Sequence, residues 1–459
     1  MFDKNELRMM QKSLFVEALD RYRSSTLPPS AKFPDCAVCT LRPGQAPVQV
    51  FVRKRPLKQE EYLEDFDVLT ALPGQPFPTR LALHNCLFKA DLKTPYISHL
   101  EFEFDHVFPE QSDNQEVYRL AAFDLALNCR EGGCGTMFMF GQTGSGKTHT
   151  MTAIEEFAAE TLFEGQDHSG GGDGDWISVE FVELRGNRCF DLLAPGSKEL
   201  KIRDASNGTF YAEGAVQLRP RSASSLCQVL RDAHARRATV ATEANSTSSR
   251  SHALCTLRML KTKGQLMLAD CAGTERRKDS MHHSKERQQE ASEINASLYA
   301  LKECIRPIAL RKELPQHKLR ASALTQLLAG ALTRLDSSKL LVICTVSPCA
   351  SDTEHTLSTL RTGMALGGRG AEKEVQEMLT RPRVDAPVHP SKWNPGEVKS
   401  WLQELSNGNF KDVAAGLPSN FDGKMLVRVN EARCTQLCSN DARRGAALYS
   451  LLHERIRAR

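Results

Sequence analysis

The spacing of hydrophobic and polar residues alternates between two periods along most of the chain. Apolar runs bounded by turn residues predict strands at 48–52, 136–140, 177–184, 253–260, 265–269 and 340–346. Apolar positions three and four residues apart predict helices at 116–129, 147–163, 224–238 and 286–310. Because strands alternate with helices, we expect an α/β fold with a central, mainly parallel or mixed sheet flanked by helices on both faces.

The two ends of the chain carry different patterns. Residues 5–23 have apolar side chains at helical spacing, and proline and small residues follow them. Near the other end, three short amphipathic patterns at 393–405, 424–430 and 442–457 predict a small all-α domain. We therefore divide the chain into a helix and linker, an α/β domain, a second linker and a helical domain, with bounds 1–47, 48–363, 364–389 and 390–459.

Composition narrows the class of protein. The 459 residues are 41% hydrophobic and 25% charged, and no apolar run approaches 18 residues, so neither a membrane span nor a secretory signal is expected. The 14 cysteines are scattered through apolar segments, which favours a reducing compartment and a cytoplasmic protein. The arginines near the C-terminus lack an aromatic platform, so nucleic acid is not an expected partner.

A glycine-rich turn between a predicted strand and a predicted helix has the composition of a nucleoside triphosphate cradle. Its backbone N–H groups can converge on phosphate oxygens, and Lys147 can neutralise the terminal phosphate. The Thr148 hydroxyl suits Mg²⁺. The residues of this phosphate loop are Gly141, Gln142, Thr143, Gly144, Ser145, Gly146, Lys147 and Thr148.

Two further segments have the chemistry to complete the same site. Serines of the run Asn245-Ser-Thr-Ser-Ser-Arg-Ser-His252 can offer oxygens to Mg²⁺ and to a γ-phosphate, and Arg250 can pair with a carboxylate. The second segment, Asp270-Cys-Ala-Gly-Thr-Glu275, directly follows an apolar strand. Asp270 can hold the water shell of the metal, and Gly273 can bring a backbone N–H to the γ-phosphate. Taken singly, each segment is also consistent with an ordinary polar loop or turn.

In this order, the three segments resemble the nucleotide site of the kinesin motor domain, and the resemblance extends from about residue 48 to residue 363. Arg53-Lys-Arg-Pro56 is similar to the adenine-side strand end of that family. His149-Thr-Met151 extends the phosphate loop as the family does, and Asn295-Ala-Ser-Leu298 resembles its long switch helix, which faces the microtubule.

The resemblance implies an ATPase that uses ATP and Mg²⁺ and binds microtubules and tubulin. It implies direct or water-mediated Mg²⁺ contacts from Thr148, Ser249 and Asp270. It also implies an Arg250–Glu275 ion pair that closes on ATP, with Glu275 relaying a proton and with Ser249 and Gly273 orienting the attacking water. Further nucleotide contacts are expected from Arg53, Arg55, Pro56, Tyr118, His149, Asn245 and Ser248.

Several features resemble one branch, the thirteenth kinesin family, whose internal motors bend protofilaments and remove tubulin from microtubule ends. The segment before residue 48 is similar to the neck of that branch. Lys89-Ala-Asp91 and Lys302-Glu-Cys304 resemble its two signature motifs, with Ala90 in place of valine. The tubulin contacts implied by these motifs and their surroundings are Lys89, Asp91, Lys302, Glu303, Cys304, Arg276, Arg277, Lys278, Lys318 and Arg320.

Each of these motifs is also consistent with an ordinary structural role. Lys89 to Asp91 is also consistent with a solvated turn, Lys302 and Glu303 with a charged helix face, and Cys304 with a core position. A stepping kinesin and a weakly catalytic microtubule-binding scaffold are the alternative functions. The chain has no sustained heptad pattern, which disfavours the stepping motor.

The sequence departs from the family pattern at three places. Ala323 stands where a lysine is usual, and Thr362-Gly363 replaces an aromatic residue and alanine in the closing helix, which puts the usual neck docking in doubt. The helix after the phosphate loop lacks the usual family insertion.

The last 70 residues, beginning with Trp393-Asn-Pro-Gly and containing Trp401-Leu402, are similar to a sterile alpha motif domain. This resemblance implies association with a protein partner, and the alternative is a merely structural helical cap.

Overall fold

The computed structural model describes residues 4–27, 47–74, 77–165, 175–205, 208–239, 250–274, 285–333, 338–379 and 389–457. Within these ranges the α/β fold is confirmed, and each predicted strand is present with its bounds shifted by no more than two residues. The strands are β1 (Val48–Lys54), β2 (Leu69–Leu72), β3 (Arg80–Phe88), β4 (Pro95–Glu103), β5 (His106–Phe108), β6 (Cys134–Phe140), β7 (Ile177–Arg185), β8 (Arg188–Asp191), β9 (Glu199–Asp204), β10 (Phe210–Glu213), β11 (His252–Met259), β12 (Gln265–Asp270), β13 (Ser338–Val346) and β14 (Lys373–Met378).

The helices cover the faces of the sheets and form the C-terminal domain. They are α1 (Lys4–Met10), α2 (Lys12–Thr26), α3 (Glu61–Glu64), α4 (Asn114–Val117), α5 (Phe123–Arg130), α6 (Lys147–Phe163), α7 (Ala223–Thr239), α8 (Lys285–Ala309), α9 (Gln316–Leu319), α10 (Ala323–Leu327), α11 (Ala329–Thr333), α12 (Thr353–Leu366), α13 (Pro395–Glu404), α14 (Lys411–Gly416), α15 (Gly423–Leu426), α16 (Glu431–Leu437) and α17 (Ala442–Arg457). None of the helices in the described ranges combines the length and the hydrophobicity that a membrane span requires.

The larger sheet is mixed, with a parallel centre. Among the described residues its ten strands follow the order β10-β9-β8-β7-β11-β12-β6-β13-β1-β5. The strands from β12 to β5 are parallel to one another, and β11 and β7 are antiparallel. Residues 135–140 of the central strand β6 are all buried, as expected for a strand covered on both faces. The carboxyl ends of β6 and β12 therefore meet at one edge, where the phosphate loop and the segment that starts at Asp270 begin.

The smaller sheet is an antiparallel lobe with the order β14-β4-β3-β2. The hairpin β3–β4 carries the loop Lys89-Ala-Asp91 at its end. Residues 373–378, assigned above to a linker, form β14 and pair with β4. The chain after α12 is thereby attached to the sheet that bears this loop.

The N-terminal helical prediction is confirmed as two helices, and they pack against the small sheet. Phe15 of α2 is fully buried between Phe66, at a ring-centroid distance of 6.4 Å, and Phe88, at 5.7 Å. Arg8 of α1 is also fully buried, and its guanidinium donates to the carbonyls of Cys86 (3.1 Å) and Ala350 (2.5 Å). The segment is part of the core of the α/β domain.

Two of the sequence departures have local explanations. Gly363 lies where α12 crosses the sheet, and a Cβ atom there would lie 3.0 Å from Cys344 Sγ and 3.1 Å from a Phe104 ring carbon, so close packing favours glycine. Ala323 opens α10, and only 5% of its surface is exposed. The position at which the family usually has a lysine is therefore a buried position in this protein, occupied by an apolar side chain.

The predicted helix at 116–129 is interrupted. Asp113 caps α4 by accepting from Glu116 N, and a π-helical turn, Tyr118–Ala122, separates α4 from α5. Apolar spacing alone does not reveal such a turn, because a π turn inserts one extra residue into an otherwise continuous pattern.

The C-terminal domain is helical, as predicted, with differences in its middle. The first and last predicted helices correspond to α13 and α17, whereas the pattern at 424–430 is helical only as α15. The helix α14 was not predicted. The domain core includes Val398, Leu402, Phe410 and Leu448. It contacts the α/β domain through polar pairs such as Arg443–Glu64 (2.7 Å). The likeness to a sterile alpha motif domain stays a prediction.

Candidate nucleotide site and tubulin-facing surface

The phosphate loop has the backbone conformation that its glycines predict. Gly144 and Gly146 adopt positive φ angles of 77° and 99°, which side chains other than glycine rarely tolerate. A Cβ atom at Gly141 would lie 2.4 Å from Thr345 O, so β13 leaves no room for a side chain there. The loop ends where α6 begins at Lys147, which places the loop N–H groups and the start of a 17-residue helix beside one another.

Lys147 is held across this loop. Its ammonium donates to Gly141 O and to Gln142 O, each at 2.9 Å, and only 6% of the residue is exposed. Inside the loop, Ser145 Oγ donates to Gln142 O at 2.7 Å. The Lys147 ammonium is therefore fixed at the phosphate loop, where the sequence predicts that a terminal phosphate binds.

The proposed metal ligands Thr148 and Asp270 lie together. Thr148 Oγ1 donates to Asp270 Oδ2 at 2.9 Å, and 2% of Asp270 is exposed. The other carboxylate oxygen, Asp270 Oδ1, is buried with no hydrogen-bond partner among the described residues. A hydroxyl and a carboxylate with one unsatisfied oxygen are the hard donors that Mg²⁺ prefers, so these residues fit that cation. Ser249, the third predicted ligand, lies outside the described residues.

A buried arginine that the sequence analysis missed supports this pair. Arg237 of α7 donates to Asp270 Oδ2 (2.7 Å) and to Ser251 O (2.7 Å), and 2% of its side chain is exposed. Its Nε lies 4.0 Å from Oε1 of Glu183, a fully buried carboxylate on β7. Arg237 therefore joins α7, β12 and the residue before β11 beneath the predicted metal site. Its position within Ala235-Arg-Arg-Ala238 gives no sequence signal that separates it from Arg236.

The loop after β12 reaches the phosphate loop, as the predicted role of Gly273 requires. Cys271 N donates to Met139 O at 3.3 Å, and Thr274 N donates to Gly141 O at 3.2 Å. Gly273 is buried between these two contacts. Arg250 is described, but its predicted partner Glu275 lies outside the described residues, as do Asn245 and Ser248.

On the predicted adenine side, Arg53 and His149 lie together through a residue that the sequence analysis did not select. Arg53 Nη1 donates to Asn114 Oδ1 (2.7 Å) and to Thr150 Oγ1 (2.8 Å). The Asn114 amide lies 3.2 Å from His149 Nε2. Asn114 begins α4, and it is the first helical residue after the Asp113 cap. These contacts connect the end of β1 to the first turn of α6.

Arg55 and Pro56 lie farther along the same strand end. The Arg55 guanidinium forms a two-pronged pair with Glu61, at 2.7 and 2.8 Å, and also donates to Ser347 Oγ at 3.0 Å. Burial raises the pKa of the Glu61 carboxyl, but the hydrogen bonds from Arg55 and Lys58 N together with their positive charges outweigh it, and the pKa is lowered. Pro56 is exposed beside this pair.

The side chain of Tyr118 packs against α6. Its hydroxyl donates to Thr161 Oγ1 at 2.5 Å, and its ring lies 5.4 Å from that of Phe157. Thr161 is 14 residues beyond Lys147 on α6, a distance of about 21 Å along the helix axis. That Tyr118 frames the adenine stays a prediction, and in this structure its side chain is bonded to the far half of α6.

The loop Lys89-Ala-Asp91 is an ordered turn at the end of its hairpin. Asp91 Oδ1 accepts from the N–H groups of Lys93 and Thr94, each at 2.9 Å, and Oδ2 accepts from Thr94 Oγ1 at 2.5 Å. The Thr94 hydroxyl bond and these backbone bonds lower the pKa of Asp91 to about 2. Leu92 follows with a φ angle of 55° and 57% of its surface exposed. Lys89 Nζ lies 4.3 Å from the centroid of the Tyr96 ring.

The second signature motif lies on α8. Lys302 donates to Thr362 Oγ1 of α12 at 3.1 Å, and Glu303 pairs with Lys318 at 2.8 Å. Cys304 is fully buried, and its Sγ lies 3.5 Å from Lys318 O. Direct contact between Cys304 and tubulin is therefore ruled out in this conformation, because a residue with no exposed surface cannot touch a partner.

The other predicted tubulin contacts divide into described and undescribed residues. Arg320 is exposed beside α9 and pairs with Asp204 of β9 at 3.0 Å. Arg276, Arg277 and Lys278 lie outside the described residues.

The following matches to known proteins all belong to one family. A model of the kinesin motor domain matches residues 53–365. The chain is 36% identical over 320 residues to diatom spindle kinesin-1 from Cylindrotheca fusiformis, covering 68% of this chain and 49% of the relative. It is 31% identical over 389 residues to kinesin-like protein KIN-13B from Arabidopsis thaliana, covering 80% of this chain and 55% of the relative.

Two further matches extend this picture. Kinesin-like protein KIF24 from Mus musculus is 35% identical over 325 residues, covering 68% of this chain and 23% of the relative. The solved structure of a fast kinesin superposes with a TM-score of 0.56 at 26% identity, and the match covers 75% of this chain and 98% of that structure. The chain spans between about a quarter and about half the length of these curated relatives.

Proposed function

The chain belongs to the kinesin family, whose motor domain it carries over residues 53–365, and from that premise we propose that it depolymerises microtubules from their ends in an ATP-dependent cycle. ATP with Mg²⁺ is the proposed fuel, and tubulin at the polymer end is the proposed partner. The proposed location is the cytoplasm, on microtubules. The observation that carries the depolymerase is the exposed, internally hydrogen-bonded turn at the end of the β3–β4 hairpin.

The buried residues around the phosphate loop support the hydrolytic part of the proposal. Lys147 is positioned to neutralise the γ-phosphate, and Thr148 and Asp270 would hold the Mg²⁺ ion. When bound, Mg²⁺ would supply positive charge at this site against the charge that develops on the transferred phosphate. Gly273 would direct a backbone N–H toward the γ-phosphate. Positioning and charge stabilisation would supply most of the acceleration, and Glu275 is the proposed proton relay.

The narrow shape of the hairpin tip favours binding in a groove of the partner rather than on a flat surface. Both carboxylate oxygens of Asp91 accept hydrogen bonds within the turn, so the first role of Asp91 is to fix the conformation of the tip. The long side chains exposed at the tip besides Asp91 are Lys89, the apolar Leu92 and Lys93. Two cations and one apolar side chain on a narrow projection suit a curved groove between tubulin subunits with an acidic rim. Lys302, Glu303, Lys318 and Arg320 are the proposed contacts of the broader surface on α8 and α9.

The segment after α12 favours the depolymerase. β14 continues the sheet that carries the tip, and Leu379 N donates to Pro95 O at 3.2 Å, close to the turn. The pairing of β14 with β4 supports the hairpin that carries the tip, as an account based on the tip requires. The printed name of the relative KIN-13B agrees with the same branch, at 31% identity.

We propose that the C-terminal helical domain associates with a protein partner. Its core is built mainly from its own helices, and one part of its surface contacts the α/β domain through Leu63 of α3 and through exposed polar pairs. A contact of this kind leaves other surface of the domain for another protein.

Fluorescence microscopy of stabilised microtubules tests the proposal. With the full chain and ATP, we expect the microtubules to shorten from their ends, and we expect no shortening with ADP. Unidirectional gliding without shortening would instead identify a stepping motor. Microtubules that bind the protein and stay unchanged with ATP would identify the scaffold.

A further inference from the structure

His252 joins the nucleotide side of the molecule to the helix that faces tubulin. It is the first residue of β11, and 1% of it is exposed. Its Nδ1 lies 3.1 Å from Ala272 N in the loop after β12, and its Nε2 lies 2.8 Å from Ser297 Oγ on α8. The imidazole thus connects the loop after β12 with α8. Among the described residues, no other recorded hydrogen bond joins these two elements.

The donors and acceptors allow a single arrangement. Ala272 N–H is a donor, so Nδ1 accepts and the ring proton sits on Nε2. The Ser297 hydroxyl donates to Ile294 O at 2.7 Å, so its oxygen accepts from Nε2–H. Burial lowers the pKa of His252 to about 3, which keeps the ring neutral and this tautomer in place. The imidazole therefore behaves as a fixed connector and not as a proton carrier.

Each end of this connector lies in a functional segment. The loop that holds Ala272 is bonded to the phosphate-loop side by Cys271 N and Thr274 N. Ser297 is five residues before Lys302 on the same helix, a rise of about 7.5 Å. A displacement of the loop on exchange of ATP for ADP would pull on Ala272, and His252 would transmit that pull to α8 because the buried bonds cannot be replaced by water.

We infer that His252 and Ser297 are positioning residues that couple the nucleotide state of the phosphate site to the conformation of α8. This inference rests on the nucleotide binding in the proposed function, and it does not depend on whether the protein shortens, walks on or merely binds microtubules. Neither side chain is assigned contact with the nucleotide or with tubulin. The pair acts through the Ala272 loop at one end and α8 at the other.

Hydrogen–deuterium exchange of the full chain, in ADP and in a non-hydrolysable ATP analogue with Mg²⁺, tests the inference without tubulin. In the wild type, exchange across α8 should differ between the two nucleotides. Ser297→Ala removes the acceptor of His252, and that difference should fall by about fivefold or more, the size of a typical coupling between sites. Ser297→Thr keeps the hydroxyl and should restore the difference. Ser292→Ala alters an exposed serine earlier on α8 and is the matched control.

Several results would overturn the inference. An α8 that responds equally in wild type and Ser297→Ala would do so, as would an α8 that does not respond in the wild type. Affinity for both nucleotides is measured alongside, because a chain that binds neither contradicts the proposed function as well. If Ser297→Ala does not fold, His252→Gln replaces it. Glutamine can place a donor near the position of Nε2 but cannot also place an acceptor at Nδ1, so a wild-type response in that variant would also exclude the coupling.

Discussion

The nucleotide site and the tip of the β3–β4 hairpin are built in opposite ways. At the nucleotide site, Arg237 and Asp270 each have 2% of their side chain exposed, and they come from α7 and β12, which are 26 residues apart. At the tip, Lys89 and Asp91 are exposed, and every hydrogen bond of the Asp91 carboxylate recorded in the described chain stays within three residues. The first region depends on the whole fold, whereas the second is a local turn placed on a stiff projection. Substitutions should therefore affect stability and ATP turnover in one region and only the tubulin reaction in the other.

The largest effect should come from Lys147→Ala. The lysine is buried on the phosphate-loop carbonyls, and its charge is the one that the loop offers to the terminal phosphate. ATP turnover, measured by phosphate release, should fall by about a thousandfold or more, and end shortening should stop. Lys93→Ala, which removes an exposed lysine from the hairpin tip, should leave basal turnover unchanged. Equal turnover in wild type and Lys147→Ala would remove this loop from the reaction.

Arg237→Ala should destabilise the fold. It leaves the buried carboxylate of Asp270 without its cation, whereas Glu183 keeps its pair with Arg185, and breaking one partner of a buried ion pair costs about 3 kcal/mol. Thermal denaturation measures the loss. The matched control on the same helix is Arg231→Ala, which removes an exposed pair with Glu156, 50% and 45% exposed, and should cost less than about 1 kcal/mol. Similar losses in the two variants would contradict the contrast between the buried and the exposed region.

Asp91→Ala should act only at the tip. Removing the carboxylate releases the N–H groups of Lys93 and Thr94, so the turn loses its fixed shape. We expect end shortening to slow by about tenfold while basal ATP turnover stays at the wild-type rate. Asp91→Asn keeps an acceptor oxygen and should retain most of the activity. If end shortening is as slow with Asp91→Asn as with Asp91→Ala, the negative charge of Asp91 matters more than the hydrogen bonds that it accepts within the turn.

The smallest effect is a pH dependence of stability within the buried region. His234 of α7 lies 2.6 Å from Glu155 of α6; burial opposes its charge, but the carboxylate outweighs burial and raises the pKa of His234 above 6.5. A raised pKa adds stability that is present below pH 6.5 and is lost as pH rises through the folded-state pKa. Wild type should lose about 1 kcal/mol across that window in denaturant titrations. His234→Gln should lose less, and an equal slope in both proteins would exclude this pair as the cause.

The sequence predicts the local parts of this molecule well. A continuous apolar run before the glycine turn predicts the strand β6, which is buried on both faces. Apolar residues at helical spacing after the turn predict the helix α6. The turn at Asp91 follows from residue type in the same way. Each of these features depends on neighbours within a few residues.

The parts that were missed depend on distant residues. Arg237 belongs to the site only because α7 crosses β12, and Asn114 only because α4 starts beside α6. Tyr118 lies on a π-helical turn, and its hydroxyl bonds to Thr161, a contact that apolar spacing does not reveal. Cys304 sits in a charged motif, and its burial follows from the packing of α8. Motif spacing identifies the residues that meet the nucleotide, whereas tertiary packing selects the residues that hold them.

The most direct test of the central claim is a sedimentation assay with stabilised microtubules, the full chain and ATP, in which phosphate release is measured in the same sample. For the wild type, tubulin should move from the pellet to the supernatant with ATP and stay in the pellet with ADP. For Lys89→Ala, phosphate should still be released while tubulin stays in the pellet. A wild type that hydrolyses ATP and leaves all tubulin in the pellet would contradict the account.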